Sequence, residues 1–211
     1  MNEPVSPPTQ QTASARTSLP LGFGRYRVLS RLGSGGMASV YLARDGQAGE
    51  LVAIKALHPF VLEQPDLQRD FMREASIARR IEHPNVVRVG EGSTHEGVPY
   101  LVMEHVDGET LGALMRSVEA RGGPMPLAVS LRIAVDVLHG LHAAHELRTP
   151  EGQPSQLVHR DVSPQNVLVD RSGHAKITDF GVARVAERTQ LTAAGLVKGK
   201  LRYMAPEQVV A

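Results

Sequence analysis

Four stretches of the chain carry residues whose types and spacing could do chemistry. Gly33-Ser34-Gly35-Gly36-Met37-Ala38-Ser39-Val40 places glycines where a backbone must come close to a bulky anion, and its amide groups could cover phosphates. Alone this signal is weak, because glycine-rich hairpins serve many ends. A dinucleotide-binding fingerprint would open a helix, whereas Ser39-Val40-Tyr41-Leu42 continues as a strand. Val52-Ala53-Ile54-Lys55 ends a strand pattern on a lysine, which is unusual on a semi-buried strand without a counter-charge, although a solvated strand-end lysine would read the same way. Glu74 lies on the apolar face of a predicted helix, where an acid is costly to bury unless a cation meets it. A Lys55–Glu74 pair would satisfy both residues and leave the lysine able to bind phosphate oxygens as a point charge. The remaining two stretches, His159-Arg160-Asp161-Val162-Ser163-Pro164-Gln165-Asn166 and Asp179-Phe180-Gly181, hold acids and amides that singly read as turn or cap residues.

The elements that must position these groups can be read from periodicity. Residues 26–32, 39–43 and 51–57 read as strands, the first two flanking the glycine-rich turn. Over residues 66–81 the spacing becomes helical, with Leu67, Phe71, Ala78 and Ile81 on one face and Pro65 and Asp66 as the start. Residues 86–89 and 100–103 read as two more strands, joined through a polar turn at 92–97. Residues 109–115 and 126–145 read as helices, the second with Leu127, Leu131, Val135, Leu138 and Leu141 along one side. A polar, turn-rich linker covers residues 148–156, and short strands at 167–169 and 175–177 flank the hairpin-type turn Asp170-Arg171-Ser172-Gly173. The expected architecture is α+β, with a β-rich front and an α-rich back.

Composition bounds the function classes. The chain has 211 residues and a formal net charge of +1, so no global field recommends a nucleic acid or an anionic membrane as partner. It has no cysteine, which removes disulfides, thiolate zinc sites and cysteine nucleophiles, and fits a reducing compartment. The most apolar region, residues 127–144, carries Arg132, Asp136, His139 and His142, so no bilayer span is expected. Residues 1–20 hold four prolines and six serines or threonines with almost no large apolar side chains, and residues 1–24 are expected to form a disordered tail.

The ordered set made by the 159–166 stretch, Asp179-Phe180-Gly181 and then Ala205-Pro206-Glu207 resembles the protein kinases, specifically the bacterial Hanks-type serine/threonine kinases that look like eukaryotic ones. The resemblance runs from about Tyr26 to the last residue and implies a two-lobe fold, with an N-lobe at 25–103 and a hinge and partial C-lobe at 104–211. It implies ATP and Mg²⁺ as cofactors and a protein substrate. Gly33, Gly35 and Val40 match the loop over ATP, with Ser34 and Gly36 inside it and Ala38 in place of the third glycine. Lys55 matches the lysine that holds the α- and β-phosphates, and Glu74 its helix partner. Met103 would border the adenine pocket, backbone at Glu104 and Val106 would bond the base, and Ala53, Val40 and Leu168 would sandwich the ring. Asp161 matches the catalytic aspartate that accepts the substrate proton; Asn166 and Asp179 match the magnesium ligands, and their oxygens suit a hard cation. Arg160 and Arg184 look like the basic pocket that receives a phosphorylated activation segment, with Thr189 and Thr192 as candidate acceptors. His139, His142 and His145 fall on an ordinary packing helix, and a metal role for them is not expected.

Two departures from the family pattern look coupled. Ser163 stands where the Ser/Thr kinases usually carry a lysine, and Lys200 stands where they usually carry a threonine; an exchange of roles would keep a cation near the γ-phosphate. The chain also ends four residues after Glu207, whereas the family's fold continues with several helices. Leu131, Leu138 and their neighbours are therefore expected to lose part of their cover. The reading is a protein serine/threonine kinase of the cytoplasm. Its alternatives are a catalytically silent module that binds nucleotide, a partner kinase or a second copy through its β-rich lobe, and a fragment with no stable fold.

Overall fold

The computed structural model describes residues 19–155, 157–180 and 201–210. Its front is a six-stranded antiparallel sheet made of β1 (Gly22–Phe23), β2 (Tyr26–Ser34), β3 (Ala38–Asp45), β4 (Leu51–Leu57), β5 (Val89–His95) and β6 (Val98–Glu104). The spatial order is β1-β2-β3-β4-β6-β5. Side chains alternate across β4 as a strand's period of two requires. Ile54 and Ala56 enter an outer cluster with Phe23, Tyr26 and Tyr100. Leu57, on the opposite face, packs with Phe71 and Ala75 of helix α1 (Pro65–Ala78). Phe71 is fully buried, worth about 2–3 kcal/mol of apolar transfer by itself.

The back of the molecule holds β7 (Gly108–Thr110), α2 (Leu111–Ala120), α3 (Leu127–His145), β8 (Val167–Asp170), β9 (Ala175–Ile177) and the short helix α4 (Pro206–Val210). Strands β7, β8 and β9 form a second antiparallel sheet. Thr110 caps α2, its hydroxyl accepting from the Ala113 N–H at 3.1 Å. The hairpin turn between β8 and β9 is closed by the Gly173 N–H to the Asp170 carbonyl, with Gly173 at φ 85°.

The two sheets, α1 and the long helix stand where periodicity placed them, with four corrections. Residues 86–89 are not a strand: Val86 makes one bridge to Ile177, and the strand begins at Val89 and runs to His95. Gly92 was read into the turn but serves close packing, since a Cβ there would stand 3.0 Å from both Leu101 and Met72. The true turn is Glu96-Gly97, both at positive φ. Helix α2 starts two residues later than expected and extends to Ala120, while Glu109 belongs to β7. At the front, Gly22–Phe23 already pairs with β2, and Phe23 is buried, so order begins before residue 25.

Helix α3 buries Ile133, Asp136, Gly140 and Ala144, whereas Leu127, Leu131, Val135 and Leu138 are exposed, Leu131 at 56% and Leu138 at 62%. The apolar stripe read from the sequence is thus mostly the uncovered face. Alone among the described helices, α3 is long and apolar enough to cross a membrane by length and composition. Its buried face carries Asp136, which accepts from Arg132 Nε at 3.1 Å and from the Ala175 N–H at 3.0 Å, the bonding of a helix packed on β9.

Candidate functional site

The site lies between the two sheets. Register in the front sheet sets Val40 opposite Lys55 and Ala53 opposite Met103. Ala53, Val87 and Met103 form a buried apolar cluster onto which Val40, Val89, Val106 and Leu168 pack. The five residues expected around a flat ring (Val40, Ala53, Met103, Val106 and Leu168) are therefore contiguous, drawn from β3, β4, β6, the segment after it, and β8. Glu104 at the end of β6 donates its N–H to the Arg88 carbonyl at 2.9 Å, so a bond from Glu104 to a base would come from its carbonyl. Its carboxylate is held by Lys176 Nζ at 2.5 Å and by the Arg88 N–H. This Glu104–Lys176 link joins β6 to β9 and was not visible in the sequence, because 72 residues separate the partners.

Lys55 is 7% exposed, and its Nζ donates to Asp179 Oδ1 at 2.6 Å. The sequence argument that a buried lysine needs an anion is met here by Asp179. Glu74 sits in α1, but its side chain lies outside the described residues. Behind Lys55 a small cavity bounded by Ala75, Val87, Met103, Asp179 and Phe180 has about 20 Å³, room for a water and nothing larger.

The loop before β8 and the segment after β9 are organised by backbone strain and by two side chains. Arg160 and Asp179 both have φ 65°, left-handed values that non-glycine residues adopt only under constraint. His159 is 2% exposed; its Nε2 donates to the Thr178 carbonyl at 2.8 Å, and its Nδ1 accepts from the Asp161 N–H. Burial lowers the His159 pKa below the ordinary imidazole value, and the ring rests on Phe180 with centroids 4.6 Å apart. Asn166 Nδ2 donates to both the carbonyl and the carboxylate of Asp161, at 2.8 and 2.9 Å. The Asn166 carbonyl in turn accepts from the Thr178 N–H. This leaves Asn166 Oδ1, a hard oxygen donor, without a partner among the described residues. With the Asp179 carboxylate it is a donor set suited to Mg²⁺.

The structure thus brings together Lys55, Asp161, Asn166 and Asp179 through three linked contacts. Gly33, Ser34, Gly35 and Gly36 form the exposed tip beside Val40. Ser163 is buried, and its hydroxyl has no hydrogen-bond partner among the described residues. Arg184, Thr189, Thr192 and Lys200 lie outside the described residues. Gln208 of α4 was not singled out by its sequence context, yet its Nε2 donates to the Arg160 carbonyl at 2.8 Å.

Residues 26–211 match the family described as Protein kinase domain. The chain belongs to the protein kinase domain family. The kinase domain is 40% identical over 190 residues to the tyrosine-protein kinase MasK of Myxococcus xanthus, covering 88% of this chain and 29% of that protein. It is 36% identical over 185 residues to the serine/threonine-protein kinase PrkC of Bacillus subtilis, covering 88% of this chain and 27% of that protein. The chain therefore spans less than a third of the length of these curated relatives. Among solved structures it is similar to the PknI kinase domain of Mycobacterium tuberculosis, at 29% identity and a TM-score of 0.65, covering 78% of this chain and 63% of that one. The two-lobe kinase fold follows from both comparisons, with a β-rich lobe and, among the described residues, few helices behind it.

Proposed function

We propose that the kinase domain binds Mg-ATP between its sheets and transfers the γ-phosphate to a serine or threonine hydroxyl of a protein substrate. The observation that carries this reading is the chain of contacts Lys55–Asp179, Thr178–Asn166 and Asn166–Asp161, with Lys55 and Asp179 lining one small cavity together with Val87 and Met103 of the apolar cluster. Lys55 and the amides of Gly33, Ser34, Gly35 and Gly36 would hold phosphate oxygens. Asn166 and Asp179 would hold Mg²⁺, whose charge neutralises the triphosphate. Asp161 would accept the acceptor's hydroxyl proton. Lys200 would supply the cation near the γ-phosphate, in exchange with Ser163, whose buried hydroxyl has no partner among the described residues. Phosphate on Thr189 or Thr192 would bind Arg160 and Arg184 and so hold the activation segment, between Asp179 and Glu207, against the loop that carries Asp161. The site of action in this reading is the cytoplasm, a reducing compartment that a chain without cysteine suits.

A tyrosine acceptor is the second reading, favoured by the name of the Myxococcus xanthus relative and by Lys200 at the position where the serine/threonine kinases carry threonine. The test is phosphotransfer from labelled ATP to a panel of protein substrates, with the labelled amino acid identified afterwards. Phosphoserine or phosphothreonine that falls about 10²–10⁴-fold in Asp161→Asn supports the proposal. Phosphotyrosine moves it to the second reading. Mg-ATP binding with no transfer by the wild type makes the chain a nucleotide-binding module.

A further inference from the structure

The glycine-rich hairpin is tied down by a residue that no part of the nucleotide reading uses. His58 follows β4, three residues beyond Lys55. Its backbone N–H donates to the Met37 carbonyl at 2.8 Å. Its Nε2 lies 2.9 Å from Ser39 Oγ and 3.5 Å from Ser34 Oγ, and the two serine hydroxyls are 3.1 Å apart. Ser34 and Ser39 are cross-strand partners that flank the tip of the β2–β3 hairpin. Ser39 is only 5% exposed, so its hydroxyl depends on these protein partners. On the other side of the tip the Met37 side chain is buried among Leu57, Phe71 and Ala75, and the Gly35 N–H closes the turn on the Ala38 carbonyl at 2.9 Å.

These contacts bear on the loop's entropy. Ser34, Gly35 and Gly36 are exposed, and a Cβ on Gly33 would meet nothing within 4 Å, so sterics alone do not fix this backbone. A free glycine-rich tip would have to be ordered when a phosphate binds, and that ordering lowers affinity. A tip already bonded in the free chain avoids most of the loss. The link is also directional. Val40 stands opposite Lys55 in the β3–β4 register, so anchoring the tip to His58 fixes the roof to the strand that carries the lysine.

We infer that His58 is a positioning residue for the nucleotide: with Ser39 and Ser34 it latches the glycine-rich hairpin to β4, so that phosphate-covering amides and Lys55 are held as one body before ligand arrives. This rests on the nucleotide reading of the site, and it adds a residue outside the binding surface to it. Two partly exposed hydrogen bonds of ordinary strength set the expected effect at about five- to tenfold.

The test is hydrogen–deuterium exchange of the 211-residue chain without nucleotide, together with the dissociation constant for Mg-ADP, in wild type, His58→Ala, Ser39→Ala and His58→Gln. The latch predicts amides of residues 34–38 exchanging about five- to tenfold faster in His58→Ala and Ser39→Ala, with α3 amides unchanged and Mg-ADP weakened by a similar factor. His58→Gln, which keeps a donor and an acceptor, should recover most of both. Should His58→Ala lose its cooperative transition, Ser39→Ala, which removes one hydroxyl, decides the question. Unchanged loop exchange in Ser39→Ala, or equal loss in the loop and in α3, overturns the latch. Faster loop exchange in a chain whose wild type binds no Mg-ADP overturns the nucleotide reading instead.

Discussion

Gly140 offers a sharp check on how the long helix seats the site. It lies inside α3, where replacing glycine by alanine ordinarily stabilises a helix by about 1 kcal/mol. Here a Cβ would stand 2.6 Å from the Asn85 carbonyl oxygen and 3.0 Å from Ile177 Cγ2. That carbonyl cannot simply retreat, because it accepts the Ile177 N–H at 2.9 Å while Asn85 Nδ2 donates to the Ala175 carbonyl. Overpacking of this kind costs about 3 kcal/mol, so the net effect of Gly140→Ala is a loss of about 2 kcal/mol. For a domain of this size that lowers Tm by about 4–8 °C. Because Ile177 stands two residues before Asp179, nucleotide affinity should fall as well. Differential scanning calorimetry beside Gly123→Ala, whose Cβ would meet nothing within 4 Å, supplies the control, expected to stay within about 0.5 kcal/mol of wild type. A Gly140→Ala protein more stable than wild type would refute the close approach of α3 to the Asn85 turn.

Other outcomes follow from burial and charge. Ile133→Ala, at a position 4% exposed, should cost about 2–4 kcal/mol, whereas Leu131→Gln and Leu138→Gln should each cost less than about 0.5 kcal/mol and raise solubility; urea unfolding of the three compares them. His159 is buried with its pKa depressed, so the unfolded chain takes up this proton first as pH falls. Its contribution to stability is complete above about pH 6.5 and is lost as pH drops below that value. Unfolding free energies of His159→Phe should accordingly change less between pH 7 and 5.5 than those of wild type, and an identical slope would contradict the assigned burial. Asp45 is held below the usual carboxylate range first by the Gln47 N–H, so its contribution is present above about pH 4 and lost on further acidification, an effect that Asp45→Asn should remove.

Much of the site was legible because its chemistry is local in sequence. Asp161 and Asn166 are five residues apart, and the hydrogen bonds between them need only one turn of loop. Lys55 could be singled out because a buried ammonium demands an anion, and that demand is physical whichever acid meets it. What escaped the sequence is long-range or conformational. The Glu104–Lys176 pair joins distant strands, and the left-handed backbone at Arg160 is imposed by its surroundings and not by residue type. Gly92 misled for the same reason: glycine marks both turns and tight strand packing, and only the position of Met72 and Leu101 tells them apart. On α3 the apolar period showed a stripe without showing which neighbour covers it, and the buried side proved to be the one holding Asp136 and Gly140.

The central claim is that Lys55 and Asp179 form a nucleotide site in a folded kinase domain. Thermal unfolding of the chain with and without Mg-ATP, beside Lys55→Ala and Asp179→Ala, tests it most directly. At about a hundred times its dissociation constant, bound Mg-ATP should add roughly 2.7 kcal/mol, a rise on the order of 5–10 °C that either substitution blunts. A cooperative transition indifferent to Mg-ATP, or raised equally in all three proteins, would contradict the account.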